Sequence, residues 1–476
     1  MMTRNTVTTM LALSFALGTT ACKKKGGDTT DPGSAGGTQA AQAAAKADKE
    51  AKEDFDKALS VYDEAMKDGS LSEAECTKTA GKFEGVYKDH PKRMQIAYFN
   101  AATILESCGK TDQAKKMYEE LAKENFHLAL NNLGVMYWNK GDERKAMEYF
   151  EKSVNADKKL AFAARNNLAA GLRDKYTSAA KPDKSVFEQA ELQIQNVLAV
   201  DTSNRNAYEN LARLYYDRGR LADRSYLLLA NLVVTQAIRV LKEEGNESAD
   251  LYNLAGLLRM QDDNQVEALK AFKRATTVDA KHTDANLNIA FISIRFRDYT
   301  TAETSLDVAL KDPTQENNIE AVLAMGVAKR GLKKYEEAKK YYERAAKIDA
   351  KDPRPWYNLG ILEHEHILAT KEDVKAQEEV FDIAKKHYKK FVDLAGANKE
   401  WAALVDDAKG RMVIIDDAIQ AYRKAEEMQK KAAELAELEK KQAEEERNRL
   451  LELEKKAMQA ADSGGGDAPA PAPEGG

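Results

Sequence analysis

The chain has 476 residues, of which 32% are charged and 7% aromatic, and its formal net charge is −5. So even a charge balance gives no ground for a nucleic acid or other polyanion as partner. With 43% hydrophobic residues the chain is not one long disordered segment, and no apolar run after residue 20 is long enough to span a bilayer.

Residues 1–21 read as a secretory signal peptide, with Arg4, an apolar core from Met10 to Leu17, and small residues before Cys22. Gly18-Thr19-Thr20-Ala21-Cys22 resembles a bacterial lipobox, although Thr19 stands where that family prefers leucine. The resemblance implies a diacylglycerol on the Cys22 thiol and a chain anchored by its mature amino terminus. Lys23, in place of the aspartate that retains many such lipoproteins in the inner membrane, implies the outer membrane. The other reading is an ordinary signal peptide with Cys22 incidental. Residues 22–48, rich in Gly, Ser, Thr, Asp and Ala, are expected to be a flexible linker with a reach of roughly 25 Å.

Residues 49–94 carry Phe55, Leu59 and Tyr62, then Phe83, Val86 and Pro91, which is expected to give one degenerate helix pair. From 95 to 398 a small residue recurs at Ala102, Gly134, Ala169, Ala212, Ala255, Ala290, Gly326 and Gly360. A second small residue follows each time it can be traced, with a large apolar residue four later. Examples are Ala114 with Tyr118, Ala146 with Phe150, Ala268 with Phe272 and Ala338 with Tyr342. Small residues let two helices pack closely while the large ones fill the space around the contact. This resembles the tetratricopeptide repeat (TPR), a helix–turn–helix unit of about 34 residues. The resemblance implies an all-α solenoid of about eight repeats, wound as a right-handed superhelix whose concave wall is made by the first helices. Inserts near 174–186, 219–233 and 363–380 are expected to map to inter-helix turns.

Two residues before each small packing residue the chain repeats one letter: Asn100, Asn132, Asn167, Asn210, Asn253, Asn288 and Asn358, with Ala324 breaking the series. In TPR proteins this position faces the groove. A ladder of amides, each both donor and acceptor, could hold the backbone of an extended peptide. The alternative is a solvated consensus residue, or one bonded to its neighbouring helix. Trp138, Arg213 and Tyr216 are candidate partner-binding anchors beside it, with Phe99, Tyr252, Arg259, Phe291, Arg295 and Tyr357.

Cys76 and Cys108 form an even pair once Cys22 is set aside. They sit at ends of neighbouring helices that an antiparallel arrangement brings together, which predicts a disulfide in an oxidising compartment. Two free buried thiols are the other reading. His364-Glu365-His366 is not read as a metal site, because residues two apart point to opposite sides of a helix. It is expected to be solvated helix surface. No phosphate loop, dinucleotide loop or nucleophile elbow is present, so no enzyme, cofactor or small-molecule substrate is expected.

Residues 399–461 read as a capping helix, with Trp401, Leu404, Ala408, Met412, Ile415, Ile419 and Tyr422 on one face, continuing into a Glu/Lys/Ala/Leu helix. Met428, Ala432, Leu435, Leu450, Leu453 and Ala457 fit heptad-like spacing there, but Glu439, Gln442 and Glu446 interrupt it. A rigid spacer and a weak partner helix both fit. Residues 462–476 are expected to be a disordered tail whose Ala-Pro repeats could lie on peptidoglycan. The full combination resembles the TPR lipoproteins of the myxobacterial adventurous gliding machinery, the Glt-type motility complex. That implies a periplasmic scaffold linking protein partners of the cell envelope. The alternative is a pilotin-like lipoprotein that assembles a secretin or barrel in the outer membrane.

Overall fold

A computed structural model describes residues 35–463, with side chains from 46 to 460. The signal peptide, Cys22, the lysines after it and the Ala-Pro repeats lie outside the described residues. The described chain is all-helical. Its first pair is α1 (Ala35–Ala65) and α2 (Glu73–Asp89). Next come α3 (Gln95–Ser107) with α4 (Thr111–Lys123), and α5 (His127–Asn139) with α6 (Glu143–Ala156). Then follow α7 (Phe162–Ser178) with α8 (Lys184–Leu198), and α9 (Arg205–Leu221) with α10 (Ser225–Glu243). The next pairs are α11 (Ala249–Gln261) with α12 (Gln265–Val278), and α13 (Thr283–Arg295) with α14 (Tyr299–Ala309). The last are α15 (Ile319–Gly331) with α16 (Tyr335–Ile348), and α17 (Arg354–Ile361) with α18 (Val374–Ala395). A single helix, α19 (Ala402–Ser463), closes the described chain. From α3 to α18 the helices make eight pairs. None of the described helices is long and apolar enough to cross a membrane.

The pairs form because the small residues permit contact with a ring. A Cβ on Gly134 would lie 2.6 Å from Phe150, and one on Gly326 would lie 2.4 Å from Tyr342. Gly360 meets Tyr388 in the same way. In the fifth repeat the close contact is Gly256 on Phe272, where the spacing predicted Ala255. Both residues are small, so the sequence does not say which of the two faces the ring. The second helices are one-sided: α6 buries Ala146, Phe150 and Ser153 and leaves its other face to solvent. Side-chain caps fix several starts, as where Ser72 and Glu75 make a reciprocal capping box at α2 and Asp142 caps α6. Gly141, with φ of 81°, makes the left-handed turn between α5 and α6.

Three expectations are corrected here. Helix α1 begins at Ala35, inside the stretch read as linker, because its alanine-rich start favours helix. The first two inserts lengthen helices more than turns: α9 runs to Leu221, and α10 starts at Ser225 and spans 19 residues. Its buried positions are Ala230, Val234, Ala237 and Leu241, and Val233 packs partly buried beside them. The third insert forms a π-helical turn over Leu362–Ile367 and a 3-10 turn over Leu368–Thr370 before α18.

The chain divides into two compact units, residues up to Asn288 and residues from Ile289. In the first unit, Phe55 and Phe83 meet edge to face and join α1 and α2 to the core of α3 to α5. Cys76 and Cys108 are disulfide-bonded there, with Cα atoms 6.4 Å apart. In the second unit, Tyr342 and Leu359 share a core with Leu323. Val405, Ala408, Ile415 and Ile419 of α19 pack on Phe381, Tyr388 and Phe391 of α18, so the start of α19 covers the end of the last repeat.

Candidate protein-binding cleft

In the first unit the amide ladder joins repeats to one another. Asn167 Nδ2 donates to Asn131 Oδ1 at 2.9 Å, from α7 to α5. Asn210 Nδ2 donates to the Asn166 carbonyl at 3.0 Å, from α9 to α7. Asn288 Nδ2 donates to Asn253 Oδ1 at 3.0 Å. The rule is common to all three. The asparagine two before a packing residue donates to the residue three before the packing residue of the preceding repeat.

Burial agrees with that use. Asn100, Asn132, Asn210 and Asn253 are buried, while Asn167 and Asn288 are half-buried. Asn132 donates to the Tyr118 hydroxyl at 3.1 Å, and that hydroxyl donates to Glu106 at 2.9 Å. Asn100 is fully buried, and neither of its amide atoms has a hydrogen-bond partner. The expected open row of peptide-binding amides is therefore not presented by the free chain. A buried amide already bonded across a helix contact is closed to an incoming backbone.

The candidate anchors of this unit are also occupied. Trp138 closes over Gly171, where a Cβ would lie 3.2 Å from the indole ring. Tyr216 is buried in the core of α9 to α11. Arg213 pairs with Asp250, which also takes His282 Nε2 at 3.2 Å. Next to them, Glu209 holds Arg205 at 2.8 Å and the Ser248 hydroxyl at 2.6 Å. Burial pushes the Asp217 carboxyl up, against the pull of Arg173, Arg213 and Arg220.

In the second unit this stitching stops. Ala324 of α15 stands where the earlier repeats carry the ladder asparagine, and Leu323 stands where Asn131 and Asn166 accept in their repeats. Asn358 has no amide to donate to in the preceding repeat, and its Nδ2 turns to the Arg354 carbonyl of its own helix at 3.0 Å. The space is left as an open cleft of about 380 Å³. Its floor is Leu323, Ala324 and Val327, and Phe291, Tyr357 and Trp401 are rings on its walls. Phe291 is 40% exposed, which is high for an aromatic side chain on a helix of a packed array. Arg354 stands at the rim with Glu320 at 2.6 Å and Asp352 at 2.6 Å. The Tyr357 hydroxyl donates to Asp407 at 2.7 Å, and burial followed by that carboxylate pushes its pKa up to about 12.

Apolar floor, aromatic walls and an ion-paired rim form a surface suited to apolar side chains of a protein segment. Phe291, Tyr357 and Asn358 were candidates from the sequence and come together here. Leu323, Val327, Ile294 and Arg354 were not, and Trp401 and Leu404 were read only as part of the cap. The one available signal was the break at Ala324.

The histidine turn is also corrected. His364 and His366 are half-buried, not solvated. His364 lies edge-on to Phe381 and Tyr388, His366 stacks on Tyr335 with centroids 5.1 Å apart, and His387 lies beside Trp356. The π-helical turn changes the angular spacing that the solvated reading assumed. Among the described residues no group of three or more His, Cys, Asp or Glu is placed to hold a metal ion.

A family model for the tetratricopeptide repeat matches residues 96–126, 128–160 and 319–352. No curated protein matches. Several solved structures are similar in fold. PilF of Pseudomonas aeruginosa is 16% identical, with 48% of this chain and 94% of that one covered at a TM-score of 0.39. YrrB, described as a TPR protein with an unusual peptide-binding site, is 18% identical, with 43% and 94% covered at a TM-score of 0.30. Yeast Tom70 is 17% identical, with 73% and 68% covered at a TM-score of 0.34. The chain is thus an all-α protein carrying tetratricopeptide repeats, with a carboxyl-terminal helix of 62 residues.

Proposed function

We infer that this chain is a scaffold that binds protein partners in the bacterial envelope, held at the periplasmic face of the outer membrane by a lipid on Cys22. The observation that carries the binding role is the cleft of the second unit, where the amide stitching gives way to an open apolar floor. The lipobox-like run before Cys22 supports the anchor. The resemblance to the Glt-type gliding lipoproteins supports a place in a trans-envelope motility complex.

A cross-linked pull-down from membranes tests the reading. Phe291→Asp, which charges the exposed wall of the cleft, is expected to lose partners while circular dichroism stays that of the parent. Changing Asn132, Asn167, Asn210 and Asn253 to Ala is expected to lower stability first. If the charged cleft keeps every partner, the cleft is not the binding site. A deletion strain separates the machines: lost gliding with intact secretins supports the motility complex, and lost secretin multimers supports the pilotin-like role. Cys22→Ser tests the anchor, since the variant should leave the membrane fraction.

A further inference from the structure

Past Arg423, which pairs with Glu378 of α18 at 3.3 Å, α19 is exposed on every side. Every residue from Lys424 to Ala460 is exposed. A helix that is long and solvated all round usually lacks an apolar stripe, yet this one has a stripe. At about 100° per residue, Met428, Ala432, Leu435, Leu450, Leu453 and Ala457 fall within about 40° of one line. Met428 is 64% exposed, Leu435 58%, Leu450 58% and Leu453 55%. The same geometry puts Val405, Ala408, Ile415 and Ile419, which pack on α18, on the opposite side of the helix. The stripe therefore faces away from the body of the second unit.

The stripe is a palindrome. Met428 and Ala457, Ala432 and Leu453, and Leu435 and Leu450 each lie equally far from a midpoint between Gln442 and Ala443. Glu439 and Glu446 are also symmetric about it.

We propose that α19 pairs antiparallel with α19 of a second copy, about a two-fold axis at Gln442–Ala443. In that register Met428 meets Ala457, Ala432 meets Leu453, and Leu435 meets Leu450, each twice about the axis, so large faces small at four of the six layers. A parallel pair would set Ala432 on Ala432 and Ala457 on Ala457, leaving two thin layers. The apolar seam is about 44 Å long, the rise of a helix from Met428 to Ala457. Each helix end comes level with the point where the partner helix leaves its own core. The contact is isologous and closes as a dimer. At its centre Glu439 of one copy faces Glu446 of the other across Gln442, and these like charges keep the association weak, while the pairing of large with small residues sets the register. The pairing stands independently of what the cleft binds.

Sedimentation equilibrium and thiol cross-linking test this, on the full chain carrying Cys22→Ser so that only introduced thiols are free. Glu439→Leu with Glu446→Leu should tighten the dimer by about tenfold or more, since four carboxylates leave the seam. Leu435→Lys with Leu453→Lys should leave a monomer with unchanged helix content. A mixture of Leu435→Cys and Leu450→Cys chains should cross-link to each other, while Leu435→Cys alone should not. A monomeric Glu439→Leu, Glu446→Leu variant overturns the proposal. A Leu435→Cys chain that cross-links to itself also overturns it, because only a parallel pair brings those positions together.

Discussion

The two units use the same position for opposite ends. In the first, Asn131 with Asn167 and Asn253 with Asn288 join neighbouring repeats. In the second, Leu323 and Ala324 remove the acceptor, Asn358 turns back on its own helix, and the wall opens into the cleft. A repeat array needs no extra fold to gain a binding site. It needs two residues that decline to bond to their neighbours, because the space between first helices is otherwise filled by that bond. The first unit is also secured covalently at Cys76–Cys108, and the second is capped by α19.

Breaking those securing elements should give the largest effects. Replacing Cys76 and Cys108 by Ala opens a link between residues 32 apart. The expected loss is about 3–4 kcal/mol from the first unit, with little change in the second. Urea unfolding followed by limited proteolysis would locate it, and equal loss in both units would mean that they do not unfold separately. Gly326→Ala is the matching change in the second unit. Its Cβ would lie 2.4 Å from the Tyr342 ring, so α15 and α16 must part, at a cost of about 2 kcal/mol. Gly410→Ala, where a Cβ meets nothing within 4 Å, is the control and should be neutral or slightly stabilising.

The stitching rule can be exchanged between units, with smaller effects. Asn131→Leu leaves the buried side of Asn167 without its acceptor and should cost about 1–2 kcal/mol. Leu323→Asn, in reverse, offers Asn358 the acceptor its counterparts have. Leu323 also shares a core with Tyr342 and Leu359, so the change should cost about 2 kcal/mol, and partner binding in a membrane pull-down, read where circular dichroism shows the variant folded, should fall because the cleft floor becomes polar. A variant that binds as well as the parent would show that the floor does not set affinity.

The repeat framework was legible because every pair needs its small residue against a ring, and that requirement recurs with a period. Ala102, Gly134 and Gly326 could be placed from it. Ala255 and Gly256 could not be told apart, since either is small enough. The asparagines were legible as a series but not as bonds. One letter in seven places does not say whether its amide meets water, a peptide or the next helix, and only the −3 residue of the preceding repeat decides that. Asn253, three before Gly256, is itself one of those acceptors. The cleft needs Phe291, Leu323, Tyr357, Phe391 and Trp401 from five separate segments, and no local pattern links them. The His364–His366 turn was misread because the 3.6-residue period was assumed through a segment that has left it.

Histidines give the finest contrast, and its sign follows from the direction of each shift. His364, His366 and His387 of the second unit are all held below the usual histidine value. Burial is the main cause at each; Arg411 adds to it at His364 and Arg330 at His366, while Glu363 opposes it at His387. A depressed histidine favours the neutral form on folding. Its contribution is present above the unfolded value of about 6.5 and is lost as pH falls through the folded values. His282 of the first unit goes the other way: burial lowers it, but the hydrogen bond and charge of Asp250 outweigh that and leave it raised. Its contribution is complete below about 6.5 and is lost as pH rises through the raised value. His127, lowered by burial, partly offsets it in the same unit. Acidification from neutral should therefore loosen the second unit more than the first. Hydrogen exchange of α17–α18 peptides against α11–α12 peptides, corrected for the intrinsic rate at each pH, reads this directly. His282→Asn should remove the alkaline loss in α11 and α12 and leave α17 and α18 as they were. Equal acid loosening in both sets of peptides would mean that the buried histidines of the terminal repeat do not govern its stability.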